Sequence, residues 1–430
     1  MQMVMPISPA MAWRTATRCA TLLLALAAPE CARAQLVVPT VLVGNPGNPA
    51  DVAYSSAGVF GSVSYPFRMG TYEVTNEQYT AFLNAVAAED PRGLYDLGMD
   101  EIDRGGIERF GFYGAYSYTV KENMGDKPVN WINLWDAARF VNWLHNGQPV
   151  GGQTDETTED GAYDLDGMIV NDSPTWTRKA GAKWFLPNEN EWYKAAFYDP
   201  RSAAQGGPLG NDHYWLYQTR SDVTPVAATA DAQGNISNPG ANVVNYALGA
   251  DWNGLNGNFT TVGSAGPQSA SYYGTYDQAG NITEMTESPL PPTHYVVRGG
   301  NYASNTNQSV VGASYRTGTM ASIDQPNLGF RVAAAVGVSL PSADFNQDLI
   351  VDGADFLIWQ RGFGNGNSLA QGDADGDGIV DGDDLAVWRA NVGKTGNESA
   401  LAAVPEPTTA ILGISSAAVV IAARRRWRRC

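Results

Sequence analysis

The stretch Tyr276-Asp277-Gln278-Ala279-Gly280-Asn281-Ile282-Thr283-Glu284 decides how this chain is read. Two carboxylates stand seven residues apart around a Gly-Asn turn. That spacing suits an oxygen-lined cation, and a buried salt bridge is the other arrangement it would support. Around the stretch, residues 35–336 hold all 20 tyrosines and eight of the 12 tryptophans, enough aromatic surface for one folded domain. Helix signals in it are few. Thr75-Asn-Glu-Gln78 is a capping box opening a run with Tyr79, Phe82, Leu83 and Val86 on one face. Asn133 caps an amphipathic run from Leu134 to Leu144, and Asn188-Glu-Asn-Glu191 opens a third helix carrying Trp192, Ala195 and Ala196. The intervening stretches 146–182 and 200–265, rich in Gly, Asn, Asp, Ser and Thr, are long enough to be expected to be functional or pinned by metal.

Composition narrows the function. The 430 residues include 47 Gly and 24 Pro, which favours loop-rich structure over long helices. The net charge of −17 excludes a nucleic-acid binder, which needs a basic surface, and argues against docking on anionic lipid. The three cysteines, Cys19, Cys31 and Cys430, lie near the two ends, so no disulfide framework operates.

Several blocks then occur in order: Tyr72-Glu73-Val74-Thr75-Asn76 with Tyr79, Pro128-Val129-Asn130-Trp131, Asp136-Ala137-Ala138 with Trp143-Leu144, and Leu186-Pro187-Asn188-Glu189-Asn190-Glu191-Trp192. The opening stretch, Arg298-Gly299-Gly300-Asn301, Tyr315-Arg316 and Asn327-Leu-Gly329-Phe330-Arg331 complete the set. Together they resemble the formylglycine-generating enzyme, or sulfatase-modifying factor, family over most of residues 60–335. The resemblance implies an α+β, C-type-lectin-like fold with little regular secondary structure and bound calcium.

It also implies where chemistry would sit. Members that make formylglycine use two cysteines holding copper(I), a soft ion that needs thiolates. Aligned on the Arg-Gly-Gly and Tyr-Arg blocks, those positions are Ser304 and Gly312 here. No catalytic residue is therefore assigned, and cysteine-based oxidation is not expected. By resemblance, one calcium site would use Asp277 and Glu284 by side chain with Gly280 and Ile282 by carbonyl. A second would use Asn242 and Val243 with Asp251 or Asn253. Thr283 and Met285 stand where the family usually has tryptophans. His145, His213 and His294 show no ligand spacing, and Ser304 has no His partner in the pattern. Arg298, Arg316 and Arg331 are expected to pin buried carboxylates or carbonyls.

Residues 344–393 contain a repeat of period 29. Oxygen-bearing side chains fall at positions 1, 3, 5, 9 and 12 of two twelve-residue loops: Asp344, Asn346, Asp348, Asp352 and Asp355, then Asp373, Asp375, Asp377, Asp381 and Asp384. Ile350 and Ile379 occupy position 7, where a backbone carbonyl suffices. This is the EF-hand ligand spacing for calcium. Position 12 is Asp rather than Glu; Gly378 supplies the position-6 turn in the second loop, whereas Leu349 stands there in the first. An apolar segment of helical spacing follows each loop, through Trp359 and Trp388. A loop and one helix, duplicated, resembles the all-α dockerin module and implies two calcium ions and a cohesin-like partner. Gly353-Ala354 and Gly382-Asp383 lack the hydroxyl pairs often used for that partner.

The ends read as targeting segments. Residues 1–34 combine Arg14 and Arg18, an apolar run from Cys19 to Ala28 and Ala32-Arg33-Ala34, the pattern of a secretory signal starting at Met1 or Met11. Residues 404–430 place Val404-Pro405-Glu406-Pro407 before an apolar run and an arginine block, which resembles a PEP-CTERM sorting signal and implies an exosortase-type protease. Eight of the 27 bases and one of the 44 acids lie in residues 1–34 and 408–430, leaving residues 35–407 with 19 bases against 43 acids, a net −24. The expected layout is a signal (1–34), a sulfatase-modifying-factor-like domain (35–336), a dockerin-like module (341–395), a linker (396–403) and the sorting segment (404–430). The expected function is an exported, envelope-associated or extracellular binding or surface-structural protein, with a polysaccharide or protein ligand. The alternative is an enzyme of the same family with cysteine-independent chemistry.

Overall fold

The computed structural model describes residues 35–52, 58–101, 103–165, 177–210, 212–304, 308–336, 343–346, 351–366, 369–374 and 379–393. The signal, linker and sorting segments, and loop residues Asp348, Leu349, Ile350, Asp375, Asp377 and Gly378, lie outside the described residues. In chain order the elements are β1 (Thr40–Val43), β2 (Phe67–Gly70), α1 (Asn76–Val86), the one-turn α2 (Gly98–Glu101), β3 (Ile107–Phe110), β4 (Ser117–Val120), α3 (Leu134–His145), β5 (Trp184–Phe185) and α4 (Glu189–Phe197). Then come β6 (Val226–Ala227), β7 (Val243–Val244), β8 (Thr283–Leu290), β9 (His294–Arg298), β10 (Thr317–Met320), β11 (Leu328–Phe330), β12 (Ala333–Ala335), α5 (Gly353–Gly362) and α6 (Gly382–Asn391). The α+β expectation holds, with short strands and long connections. Among the described residues no helix is long and apolar enough to cross a membrane.

Two four-stranded sheets organise the core. One runs β1-β2-β12-β5 and is antiparallel throughout; the other runs β10-β9-β8-β11, with β11 parallel to β8. The chain passes from the second sheet to the first in two residues, Arg331 and Val332, between β11 and β12. Helices α1 and α3 pack an aromatic cluster beside this crossing: the rings of Tyr79, Phe82, Phe140, Trp143 and Phe330 lie 5.3–6.0 Å apart, in edge, tilted and stacked pairs.

The three long helices begin where their capping boxes place them. Asn188 Oδ1 accepts from Glu191 N at 3.0 Å while Asn188 N donates to Glu191 Oε2 at 2.7 Å, and Thr75–Gln78 and Asn133–Asp136 repeat the exchange. Side-chain contacts hold the described part of the first long loop. Arg139 on α3, buried, makes a two-point contact with Glu159 at 2.8 and 3.0 Å, and Asn142 Nδ2 donates to the carbonyls of Thr158 and Tyr163. Side-chain donors thus satisfy loop carbonyls that burial would otherwise leave unpaired.

At the amino end of α3 two acids share one neighbourhood. Asn133 Nδ2 donates to Asp324 Oδ1 at 3.1 Å, and Asn133 N donates to Asp136 Oδ2 at 3.0 Å. Burial, then the Asp96 charge, pushes the Asp324 carboxyl up to about 6. Burial, then Asp324, raises Asp136. A carboxyl whose folded-state value lies above its unfolded one binds its proton more tightly when folded. Its contribution therefore favours the fold below the unfolded value, and is lost as pH rises from about 4 to about 6. Asp324→Asn is expected to flatten the dependence of melting temperature on pH across that window, as read by thermal unfolding from pH 4 to 8. A slope equal to wild type would remove this role for Asp324. Asn188→Ala is expected to cost about 1 kcal/mol in denaturant unfolding through loss of the cap.

Candidate functional site

The Tyr276–Glu284 stretch folds as a chain of left-handed residues. Asp277, Gly280 and Asn281 have φ of 59°, 79° and 55°. A Cβ on Gly280 would come within 2.2 Å of the Asn245 carbonyl oxygen, so only glycine fits. Asn281, wholly buried, joins three segments. Its Oδ1 accepts from Thr260 N at 2.9 Å and Asn245 Nδ2 at 3.0 Å, and its Nδ2 donates to Glu73 Oε1 at 3.1 Å.

The carboxylate of Glu284, on β8, meets a guanidinium. Arg331 Nε and Nη2 donate to its two oxygens at 2.5 and 2.6 Å, and Trp192 Nε1 donates to Oε2 at 2.7 Å. Arg331 also donates to Gly70 O at 3.0 Å and Tyr276 O at 2.9 Å. Glu73 Oε2 is buried 3.9 Å from Arg331 Nη2 and has no hydrogen-bond donor. Asp277 Oδ2 accepts from Gly263 N at 2.6 Å. Burial raises the Glu73 carboxyl, with Asp277 adding to the effect; burial also raises Asp277, to about 6. At Asp277, Gly280, Ile282 and Glu284, where a cation site is expected, the structure shows the buried salt bridge that the same spacing also supports. The positive charge among these acids is Arg331, both Glu284 oxygens are engaged, and Ile282 packs with Phe259 and Tyr302.

Asn242 and Val243 are likewise occupied by protein. Asn242 Oδ1 accepts from Thr219 Oγ1 at 2.5 Å, its Nδ2 donates to the carbonyls of Val223 and Thr224, and its own carbonyl accepts from Val226 N. Val243 N donates to Ser269 Oγ at 2.8 Å. Asp251 Oδ1 accepts from Gly257 N at 2.7 Å, and Asn253 is exposed. Where the second calcium site is expected, Asn242, Val243 and Asp251 thus act as turn clamps.

Ser304 and Gly312 stand beside the Arg298-Gly299-Gly300-Asn301 turn. Ser304 is 9% exposed, and its Oγ accepts from Asn301 N at 2.9 Å, closing a local turn. The Gly312 carbonyl accepts from Tyr315 N at 3.0 Å. Arg298 pins this region as expected. It donates to the carbonyls of Ala313 (3.0 Å) and Tyr315 (2.7 Å), and shares Glu189 with Arg316. Each histidine has its own local partner: Lys183 N for His145, Arg201 O for His213 and Thr293 for His294.

In the repeat, the buried carboxylates of Asp355 and Asp384 turn back into their loops. Asp355 accepts from the amides of Phe345, Asn346 and Asp352, and Asp384 from those of Ala374 and Asp381. Asp373 is buried, Asp344 and Asp381 are half-buried, and Asn346, Asp352 and Ile379 are exposed. Among the described residues no group of three or more His, Cys, Asp or Glu side chains is disposed to hold a metal ion.

A model of the sulfatase-modifying factor enzyme 1-like domain matches residues 59–336. This chain belongs to the sulfatase-modifying factor family. Hercynine oxygenase of Mycolicibacterium smegmatis is 24% identical over 232 residues, 53% of this chain and 38% of that protein; the chain thus spans well under half the length of that relative. Among solved structures, CarF is 19% identical with a TM-score of 0.42, covering 70% of this chain and 98% of CarF. Treponema denticola variable protein 1 is 17% identical with a TM-score of 0.40, over 69% and 94% of the two chains. PvdO from Pseudomonas aeruginosa is 17% identical with a TM-score of 0.35, over 70% and 93%.

Within this family member, the Glu284–Arg331 pair is the expected point of greatest sensitivity. Arg331→Met leaves Glu284 buried without its counter-charge and is expected to cost about 3–5 kcal/mol in denaturant unfolding. The double variant R331M/E284M is expected to recover part of that loss. A single variant within about 1 kcal/mol of wild type would remove the pair from this role.

Proposed function

We propose that this is an exported, envelope-associated protein whose sulfatase-modifying-factor domain serves as a binding or surface-structural scaffold, not as a cysteine-dependent oxidase. The observation that carries this reading is the pair Ser304 and Gly312. Residues 35–407 contain no cysteine, and the Ser304 hydroxyl is committed to closing its own turn. A hydroxyl cannot replace a thiolate as a copper(I) ligand. Export rests on the signal-like residues 1–34 and the PEP-CTERM-like residues 404–430, with an exosortase-type protease as the processing partner. Calcium belongs in this reading at the two loops of the dockerin-like module, residues 341–395. Asp344, Asn346, Asp348, Asp352 and Asp355, with Asp373, Asp375, Asp377, Asp381 and Asp384, offer hard oxygen donors, Ile350 and Ile379 offer carbonyls, and neither loop contains a basic residue. A cohesin-like or polysaccharide partner is the class of ligand proposed. An exposed aromatic surface suits recognition: Phe112 is 74% and Tyr113 62% exposed, on a turn anchored through Gly114 N and Tyr116 N to Ala88 O.

The likeness to hercynine oxygenase favours a second reading, an enzyme with cysteine-independent chemistry. A cysteine-dependent oxidase is separated from either reading by incubating the protein with a cysteine-containing sulfatase-type peptide, oxygen and copper(I). No aldehyde is expected by mass spectrometry, and turnover there would overturn the scaffold reading.

A further inference from the structure

The β3–β4 hairpin, Ile107 to Val120, offers a partner its side chains rather than its backbone. Both outer edges are closed from within the chain. Asn84, on α1, takes both backbone groups of Tyr118: its Nδ2 donates to Tyr118 O at 2.8 Å and its Oδ1 accepts from Tyr118 N at 3.0 Å. On the other edge Tyr95 OH donates to Ile107 O at 3.3 Å. A strand added by a peptide or a second copy would have to displace these contacts. The inward face carries Ile107 and Tyr118, both buried, and Arg109, whose guanidinium lies over the rings of Tyr95 and Tyr116, 4.5 Å from each centroid. The outward face alternates with it. There Glu108 pairs across the strands with Thr119, and Phe110, 52% exposed, pairs with Ser117. Phe112 and Tyr113 form the exposed tip. Gly111 bends the chain into it with φ of 92°, and a Cβ there would come within 2.3 Å of Ala115 O, so the bend needs glycine. Ala115 N donates to Phe112 O at 2.8 Å, and Ala88 O holds Gly114 N and Tyr116 N. The rings therefore stand on a pinned loop, which leaves little ordering cost for binding.

We propose that this face and tip bind an uncharged polysaccharide, with the rings of Phe110, Phe112 and Tyr113 stacked on the apolar C–H faces of its pyranose units and Glu108, Ser117 and Thr119 bonded to its hydroxyls. This rests on the binding-scaffold reading given above and names its ligand class and site. A pyranose is apolar on its faces and hydroxylated at its rim, the same mixture that the hairpin presents. A purely apolar partner would bury the Glu108 carboxylate without a donor, whereas sugar hydroxyls donate to it. The single base of the hairpin, Arg109, lies on the inward face, and residues 35–407 carry 19 bases against 43 acids. Neither an anionic glycan nor an anionic membrane finds its counter-charge there.

The test is retention of the full chain on insoluble cellulose, chitin and mannan, with affinity read by calorimetry against the soluble oligosaccharide of whichever polymer retains it. Wild type is expected to bind at least one of them, with affinity unchanged between about 0.1 M and about 1 M salt, because no ion pair is involved. F112A/Y113A, which alters only exposed side chains, is expected to keep the wild-type melting temperature and to bind about tenfold or more weakly. F112Y/Y113F keeps both rings and is expected to retain binding. Retention on none of the polymers, or wild-type affinity in F112A/Y113A, would overturn this site; in the second case the binding-scaffold reading survives with its glycan held elsewhere. A steep loss of affinity with salt would assign a charged partner, and a dimer in sedimentation equilibrium that F112A/Y113A dissolves would assign a second copy, and either overturns the proposal. Aldehyde formation in the peptide assay would instead remove the reading on which it rests.

Discussion

The contact between Arg331 and Glu284 is the constraint on which the rest of the domain depends. Arg331 lies where the chain leaves one sheet for the other, and Glu284 lies on the strand that pairs with the last strand before that crossing. A guanidinium offers five donors in one plane. Here they reach two carboxylate oxygens and carbonyls in the β2 end and the Tyr276 turn. Six of the eight strands in the two sheets have four residues or fewer and so have little ladder of their own, and a buried charge-assisted junction does what longer hydrogen-bonded edges do elsewhere.

That junction also explains why acids are tolerated in the core. Glu73, Asp277 and Glu284 surround one cation, and burial raises the Glu73 and Asp277 carboxyls. Protonation of a buried acid is the usual escape from an uncompensated charge.

Local structure was the more legible part of the sequence. Thr75, Asn133 and Asn188 each announce a helix because a capping box is decided within four residues. Gly280-Asn281 announces a turn because few other residues enter left-handed backbone. The partners of charged groups were not legible. Asp277 and Glu284 have the spacing of a cation site, and nothing local says that Arg331, 47 residues after Glu284, arrives to meet them. Arg178, set between Glu191 and Glu287 with Tyr163 beside it, was equally hidden, because four distant segments converge there. The reverse holds for Ser304, where one letter in the sequence speaks against a copper ligand and the fold adds only that the hydroxyl has another task.

Trp192 brings a further property. Its indole is wholly buried, lies on α4 and donates to Glu284 at 2.7 Å. An indole in a dry pocket, hydrogen-bonded to a carboxylate, is spectroscopically distinct from one facing water. The residue that packs against Glu284 is therefore also one whose emission responds when the sheet junction loosens.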